Sequence, residues 1–353
     1  MSRDSWRLDL FRKMWWSSKP VSFGVVLVAL VVILIMGESS FSELFLLVAL
    51  SQSWNLIGGL TGYSSLGQVA FFGLGAYFTG ASIEYWQLSF PLALLGSAVV
   101  GAVFAVLVGV PLLRLRGPYF ATATLVASLG TFEAFSWVSS VIPGGDGITI
   151  TTVGVSKIMQ YPSRGGFALM YLALAALATT AVALVVRSRF GGGLRLIKEN
   201  ESLAAFSGVN TRRYKVVVFA LSAVIAALAG GVYGFQQVTL DPNTLFNPRL
   251  SIAMVAMVLV GGAGTVLGPI FGALVVTAAL ELVANHSGSA QDMAVAAITV
   301  LGVLRQAESF PPPSGPSPGV LGADPTSDPQ FIERSSVIFP KFLERIKEGP
   351  KGA

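Results

Sequence analysis

The chain has 353 residues, 53% of them hydrophobic and only 12% charged, with a formal net charge of +5. Soluble domains carry about 25% charged residues, so this composition describes a polytopic membrane protein and argues against a soluble enzyme. The absence of cysteine and the single histidine, His286, exclude disulfides, thiolate or His-rich metal sites and a cysteine nucleophile.

Residues 1–20 carry Arg3, Arg7, Arg12, Lys13 and Lys19 ahead of the first apolar run and are expected to form a cytoplasmic N-terminal segment. The run Val21–Met36, followed by Gly37 and Ser39, has the outline of a secretory signal. It is long for a signal core and precedes many further spans, so it is read as a retained first helix. Crossing about 30 Å of hydrocarbon takes roughly 20 apolar residues in a helix. On that measure helices are expected at 21–37, 42–60, 63–83, 90–112, 118–138, 166–186 and 216–236. An apolar region at 251–285 follows, split by Gly261-Gly262-Ala263-Gly264, and then a short run at 292–305. The expected fold is all-α, a polytopic membrane bundle of about eight to ten helices with Gly-broken segments, spanning 21–305. Residues 306–353 hold nine of the 18 prolines and lack a sustained apolar period, so they are expected to be a disordered cytoplasmic tail.

Nine further basic residues group beside the spans: Arg114 and Arg116, then Arg187, Arg189, Arg195, Lys198, Arg212, Arg213 and Lys215. This is the positive-inside pattern of cytoplasmic loops, not a nucleic-acid footprint. With the N-terminus inside, loops 113–117 and 187–215 fall inside, and 84–89 and 139–165 outside.

One stretch breaks the apolar pattern from within. Asn55–Gly80 combines Gly58, Gly59, Gly62, Gly67, Gly73, Gly75 and Gly80 with Asn55, Ser65 and Gln68. Each glycine costs a helix about 1 kcal/mol relative to alanine in water, and broken backbone at membrane depth survives only beside protein or a watery cavity. Gly261–Ala273 echoes this stretch with its own Gly-Gly start, L-G step and F-G step. Its Gly264, Gly268 and Gly272 recur at every fourth position, a spacing that permits close helix crossing. Paired Gly-interrupted segments also point to a site at a repeat interface. Asn55, Ser65, Gly67, Gln68, Gly73, Gly75, Gly264 and Gly268 are therefore candidates to line a translocation path, with packing as the other role open to the glycines.

The run Gly59–Tyr63, the Ser65-Leu66-Gly67 turn and Ala70–Tyr77 together resemble the signature of the inner-membrane permease subunits of branched-chain amino acid ABC transporters, a family that includes urea and amide importers. The family often has histidine where this chain has Gln68. Further likenesses are Leu115–Ala121 and the loop 187–215, from Gly193-Leu194-Arg195 through Gly208-Val209-Asn210 to Tyr214-Lys215. Within that loop Glu201, Ala204, Ala205 and Gly208 stand in the order of the EAA-type loop of ABC importers. Leu203 and Phe206 add apolar side chains to a short helix, which is open to two readings: a coupling helix for an ATPase, or an ordinary basic loop helix.

Glu133 is the clearest acidic residue within an expected span, where a charge is costly and marks function by default. It also lies where the family tends to have glutamate, and a structural or gating role is expected for it. The outer loop Gly144-Gly145-Asp146-Gly147 resembles the family's Gly-rich external segment. It is open to a turn or a contact with a solute-binding protein.

No G-x-x-x-x-G-K-[ST] sequence is present, so no phosphate-cradling loop is available and the chain itself is expected to bind no cofactor. The resemblance implies a second homologous permease subunit, two cytoplasmic ATP-binding subunits that use ATP, and an extracytoplasmic binding protein that delivers a hydrophobic amino acid. Urea or a short amide stays open as cargo. A stand-alone secondary transporter would rest on Glu133 and Glu281 alone.

Overall fold

A computed structural model describes residues 38–115, 117–141, 147–150, 162 and 164–282. The expected helices at 21–37 and 292–305, the segment 1–20 and the tail 306–353 lie outside the described residues. In chain order the helices are α1 (Glu38–Trp54), α2 (Gln68–Trp86), α3 (Phe90–Leu112), α4 (Pro118–Val141), α5 (Arg164–Arg187), α6 (Arg189–Glu199), α7 (Glu201–Phe206), α8 (Thr211–Gln237), α9 (Pro242–Leu245), α10 (Pro248–Gly261) and α11 (Gly268–Leu282). Four stretches among the described residues are long and apolar enough to cross a membrane: Phe90–Leu112, Gly165–Arg187, Thr211–Gln237 and Pro242–Gly261, the last taking in α9 and α10.

The expected span 90–112 coincides with α3, and the apolar region 251–285 divides at 262–267 into α10 and α11, where Gly262 and Gly264 adopt positive φ. One boundary needs correction. The span expected at 42–60 is helical to its end, with a change of pitch in a π-helical turn over Asn55–Gly59. The span expected at 63–83 starts only at Gln68, because Gly62 turns the chain at φ 76°. The following residues then bond elsewhere: the Trp54 indole N–H donates to the Ser65 carbonyl (2.6 Å), and the Leu66 N–H donates to Thr124 Oγ1 (3.0 Å).

Two short strands, β1 (Ile148–Thr149) and β2 (Thr239–Leu240), pair antiparallel with Ile148 opposite Leu240. They are a small exception to the all-α expectation.

The core forms around α8, which packs along α2 and α3 and also meets α1 and α5. Small residues make the crossing of α2 and α8 close. A Cβ on Gly75 would fall on the Ala227 carbonyl, and one on Gly230 on the Phe72 carbonyl. Aromatic rings fill the remaining space, with Phe71 edge-on to Phe219 at 5.3 Å and Phe90 stacked on Phe235 at 4.5 Å. By contrast, α3 turns Leu92, Leu95, Val99, Val103 and Leu107 outward. A continuous apolar face of that kind is unfavourable in water and suits lipid.

Candidate functional site

The two Gly-broken segments meet. In the π-helical turn Asn55 is fully buried, and its side-chain amide faces the loop 262–267. Its Nδ2 donates to the Thr265 carbonyl (2.8 Å), while its Oδ1 accepts from the Gly264 N–H (2.8 Å). One turn earlier, Gln52 Nε2 donates to the Val266 carbonyl (2.7 Å) and Ser51 Oγ to the Pro269 carbonyl (3.3 Å). These side chains supply partners for backbone groups that a broken helix leaves bare, which a buried segment requires. Gly59 packs so closely on this loop that a Cβ there would lie 2.6 Å from the Gly264 nitrogen.

The other sequence candidates fall around this junction. Ser65 and Gln68 are fully buried. Ser65 Oγ accepts from the Gly67 N–H (3.3 Å), and Gln68 Nε2 donates to Ser222 Oγ on α8 (3.2 Å). Gly67 borders an apolar crevice lined by Ala70, Phe71, Phe104, Thr124 and Phe219. Gly73 lies against the Phe246 ring and Gly75 against α8, so both sit at contacts within this chain. The Gly268 N–H donates to Thr265 Oγ1 (3.0 Å) at the start of α11.

A second cluster stands at the basic end of the bundle. The stretch 187–215 is almost entirely helical, since side-chain caps start three helices in quick succession. Ser188 accepts from the Gly191 N–H, Asn200 from the N–H groups of Ser202 and Leu203, and Asn210 from the Arg213 N–H. Such caps satisfy donors that every helix N-terminus leaves open. In α7, Ala204 is buried while Leu203 is 62% and Phe206 89% exposed. Ala205 is exposed as well, and Gly208, at φ 82°, turns the chain toward α8 with nothing within 4 Å of a Cβ placed there.

Glu201, the first residue of α7, is half-buried and fully engaged. Its Oε1 accepts from Lys215 Nζ at 2.7 Å and its Oε2 from the Tyr63 hydroxyl at 2.5 Å. Lys215, only 4% exposed, also donates to the Tyr63 oxygen (3.1 Å) and the Leu113 carbonyl (3.1 Å), so all three ammonium protons are used. Its Nζ lies 4.6 Å from the centre of the Tyr63 ring. Nearby, Lys198 on α6 donates to the Gly59 carbonyl at the end of the π-helical turn (2.8 Å). Burial pushes the Lys198 ammonium below the usual lysine range, and the bond to a helix-terminal carbonyl offsets part of that cost. Tyr63, Lys198 and Lys215 are absent from the site residues expected from sequence. As letters, the two lysines match the surrounding positive-inside cluster, and nothing local separates a buried lysine from a headgroup-facing one.

Glu133 lies on α4 with its side chain exposed, beside Gly130, whose face is open. It makes no hydrogen bond or ion pair among the described residues. Gly144, Gly145 and Asp146 lie outside the described residues. Gly147, at φ 110°, packs against the Leu240 carbonyl where the ribbon begins. No group of three or more His, Asp or Glu residues able to hold a metal occurs among the described residues.

The family described as branched-chain amino acid transport system / permease component matches residues 35–304. The chain is 27% identical over 265 residues to the high-affinity branched-chain amino acid transport system permease protein LivM of Escherichia coli (strain K12), over 68% of this chain and 62% of that protein. It is 29% identical over 194 residues to the autoinducer 2 import system permease protein LsrC of Salmonella paratyphi B, over 54% of each. The chain thus spans less than two thirds of the length of these curated relatives. A solved structure of a metal-chelate type ABC transporter in an inward-facing conformation overlays with a TM-score of 0.49 and 15% identity, over 82% of this chain and 97% of that one. On the extent of the family match, the chain belongs to the branched-chain amino acid transport system permease components, multi-pass proteins of the inner membrane.

Proposed function

We propose that this chain is the permease subunit of an ATP-driven ABC importer that moves branched-chain, hydrophobic amino acids across the inner membrane. One observation carries the coupling part of this reading. Helix α7 holds Leu203 and Phe206 out from the bundle while burying Ala204 and tying Glu201 to Lys215. An exposed aromatic on a rigidly tethered helix has the form of an anchor for a protein partner. In this scheme the surface meets one of two cytoplasmic ATP-binding subunits. A second homologous permease completes the path, and an extracytoplasmic binding protein delivers the solute, with Gly144–Gly147 as its contact. ATP acts only on the ATP-binding subunits, so the chain itself has no catalytic residue and binds no cofactor. Glu133 is assigned a structural or gating role on the exposed face of α4. Asn55, Ser65, Gly67, Gln68, Gly264 and Gly268 are assigned to the border of the path, and Gly73 and Gly75 to the packing beside it.

The likeness to LivM supports an amino acid as cargo. The likeness to an autoinducer 2 permease favours a second reading, in which the same machinery carries a small polar solute. Uptake of radiolabelled leucine and urea in cells lacking this chain, with and without its restoration, tests the cargo. Restored leucine uptake supports the reading, and restored urea uptake alone moves the cargo to a short amide. Unaltered leucine uptake on Glu133→Gln would remove any need for that charge.

A further inference from the structure

The link between α1 and α2 is held from two sides. On the membrane side, Asn55 and Gln52 bind the loop 262–267, and the Trp54 indole holds the Ser65 carbonyl. On the basic side three anchors come from the α6–α8 segment. Lys198 of α6 binds the Gly59 carbonyl, Glu201 of α7 accepts from the Tyr63 hydroxyl, and Lys215 of α8 joins Glu201, Tyr63 and the Leu113 carbonyl at the end of α3. The Tyr63 ring continues the contact inward, edge-on to Phe120 of α4 at 5.3 Å, and Phe120 in turn meets Phe219 of α8 at 6.1 Å.

We infer that Tyr63, Lys198, Glu201 and Lys215 form a latch through which displacement of α7 is passed to the link 59–67, and from there to the Gly-broken junction with 262–267. The physical reason is the contrast in stiffness along the chain. Helix α7 is six residues long and joins α8 through a positive-φ glycine at 208, so nothing in its backbone alone transmits force. The side-chain bonds do, because they attach α7 to a turn that has left helical geometry and therefore has room to rearrange. A buried ammonium whose three protons are all bonded is expensive to part from its half-buried carboxylate, so the two ends move together. The inference rests on the docking of ATP-binding subunits at α7.

The test uses the absence of cysteine from this chain. Ser64 is exposed in the link, and Ser64→Cys gives a single reporter whose maleimide labelling rate is read in membranes, with and without ATP plus vanadate. ATP-binding subunits retained with the parent Ser64→Cys chain, and a labelling rate that changes with nucleotide, are the expected result. Adding Tyr63→Phe, which removes one hydroxyl, or Lys215→Met is expected to abolish that change while the subunits stay bound, and Lys215→Arg to restore it. Subunits bound and an undiminished nucleotide response in both Tyr63→Phe and Lys215→Met would overturn the latch while leaving the docking reading intact. Failure of the parent chain to retain any ATP-binding subunit would overturn the docking reading and the latch with it.

Discussion

Asn55 shows how a single polar side chain fixes a membrane fold. It has no aqueous alternative, so its amide must find partners inside the protein, and it finds them in a segment more than 200 positions away in sequence. Replacing it leaves the Gly264 N–H and the Thr265 carbonyl without those bonds. Asn55→Ala is expected to cost on the order of 1–3 kcal/mol, read as a lower unfolding midpoint of the detergent-solubilised protein; an unchanged midpoint would contradict this account of the junction. Gly75 makes the complementary point about space. In Gly75→Ala the new methyl meets the Ala227 carbonyl, a backbone group with no freedom to step aside. Overpacking of about 1–3 kcal/mol is expected, and the same midpoint checks it. Sequence reading picks out both residues, Asn55 as a polar group in an apolar run and Gly75 as one of many glycines. What it could not separate was path from packing, because that depends on which neighbour fills the space beside each glycine.

At the level of elements, the apolar runs located α3, α5 and the α10–α11 pair to within a few residues, since hydrocarbon thickness sets their length. The errors cluster where backbone polar groups find partners outside their own helix. The stretch 63–67 reads as helix by composition, yet Gly62 turns it out, and a tryptophan indole and a threonine hydroxyl from elsewhere hold it. The β1–β2 ribbon has only two residues per strand and no periodic signal. The segment 187–215 is foreseen as a loop with one short helix. Its three capping side chains, Ser188, Asn200 and Asn210, show why it is nearly all helix. Removing one cap separates the roles of this region. Asn200→Ala is expected to weaken α7 by about 1 kcal/mol and to reduce recovery of ATP-binding subunits with the chain. Phe206→Ala removes only an exposed side chain, so the unfolding midpoint should hold while that recovery falls. An equal loss of midpoint in Phe206→Ala would mean that the ring serves the fold.

Taken whole, the molecule is organised about one long helix. Helix α8 holds the latch residue Lys215 near its start, runs against Gly75 and Gln68 through the core, and ends just before the ribbon strand at Thr239. A rigid element of that kind joins the basic end to the ribbon end, so rearrangement at the latch is felt along the bundle. Meanwhile α3 presents an apolar outer face, and α4 presents Glu133 and the open face of Gly130 outward. Seating of an ATP-binding subunit on α7 is open to capture by a photo-crosslinking amino acid at Phe206. Irradiation of intact cells followed by mass spectrometry of the adduct should identify a protein carrying a G-x-x-x-x-G-K-[ST] loop. Crosslinks to lipid alone, from a chain that still restores uptake, would contradict it.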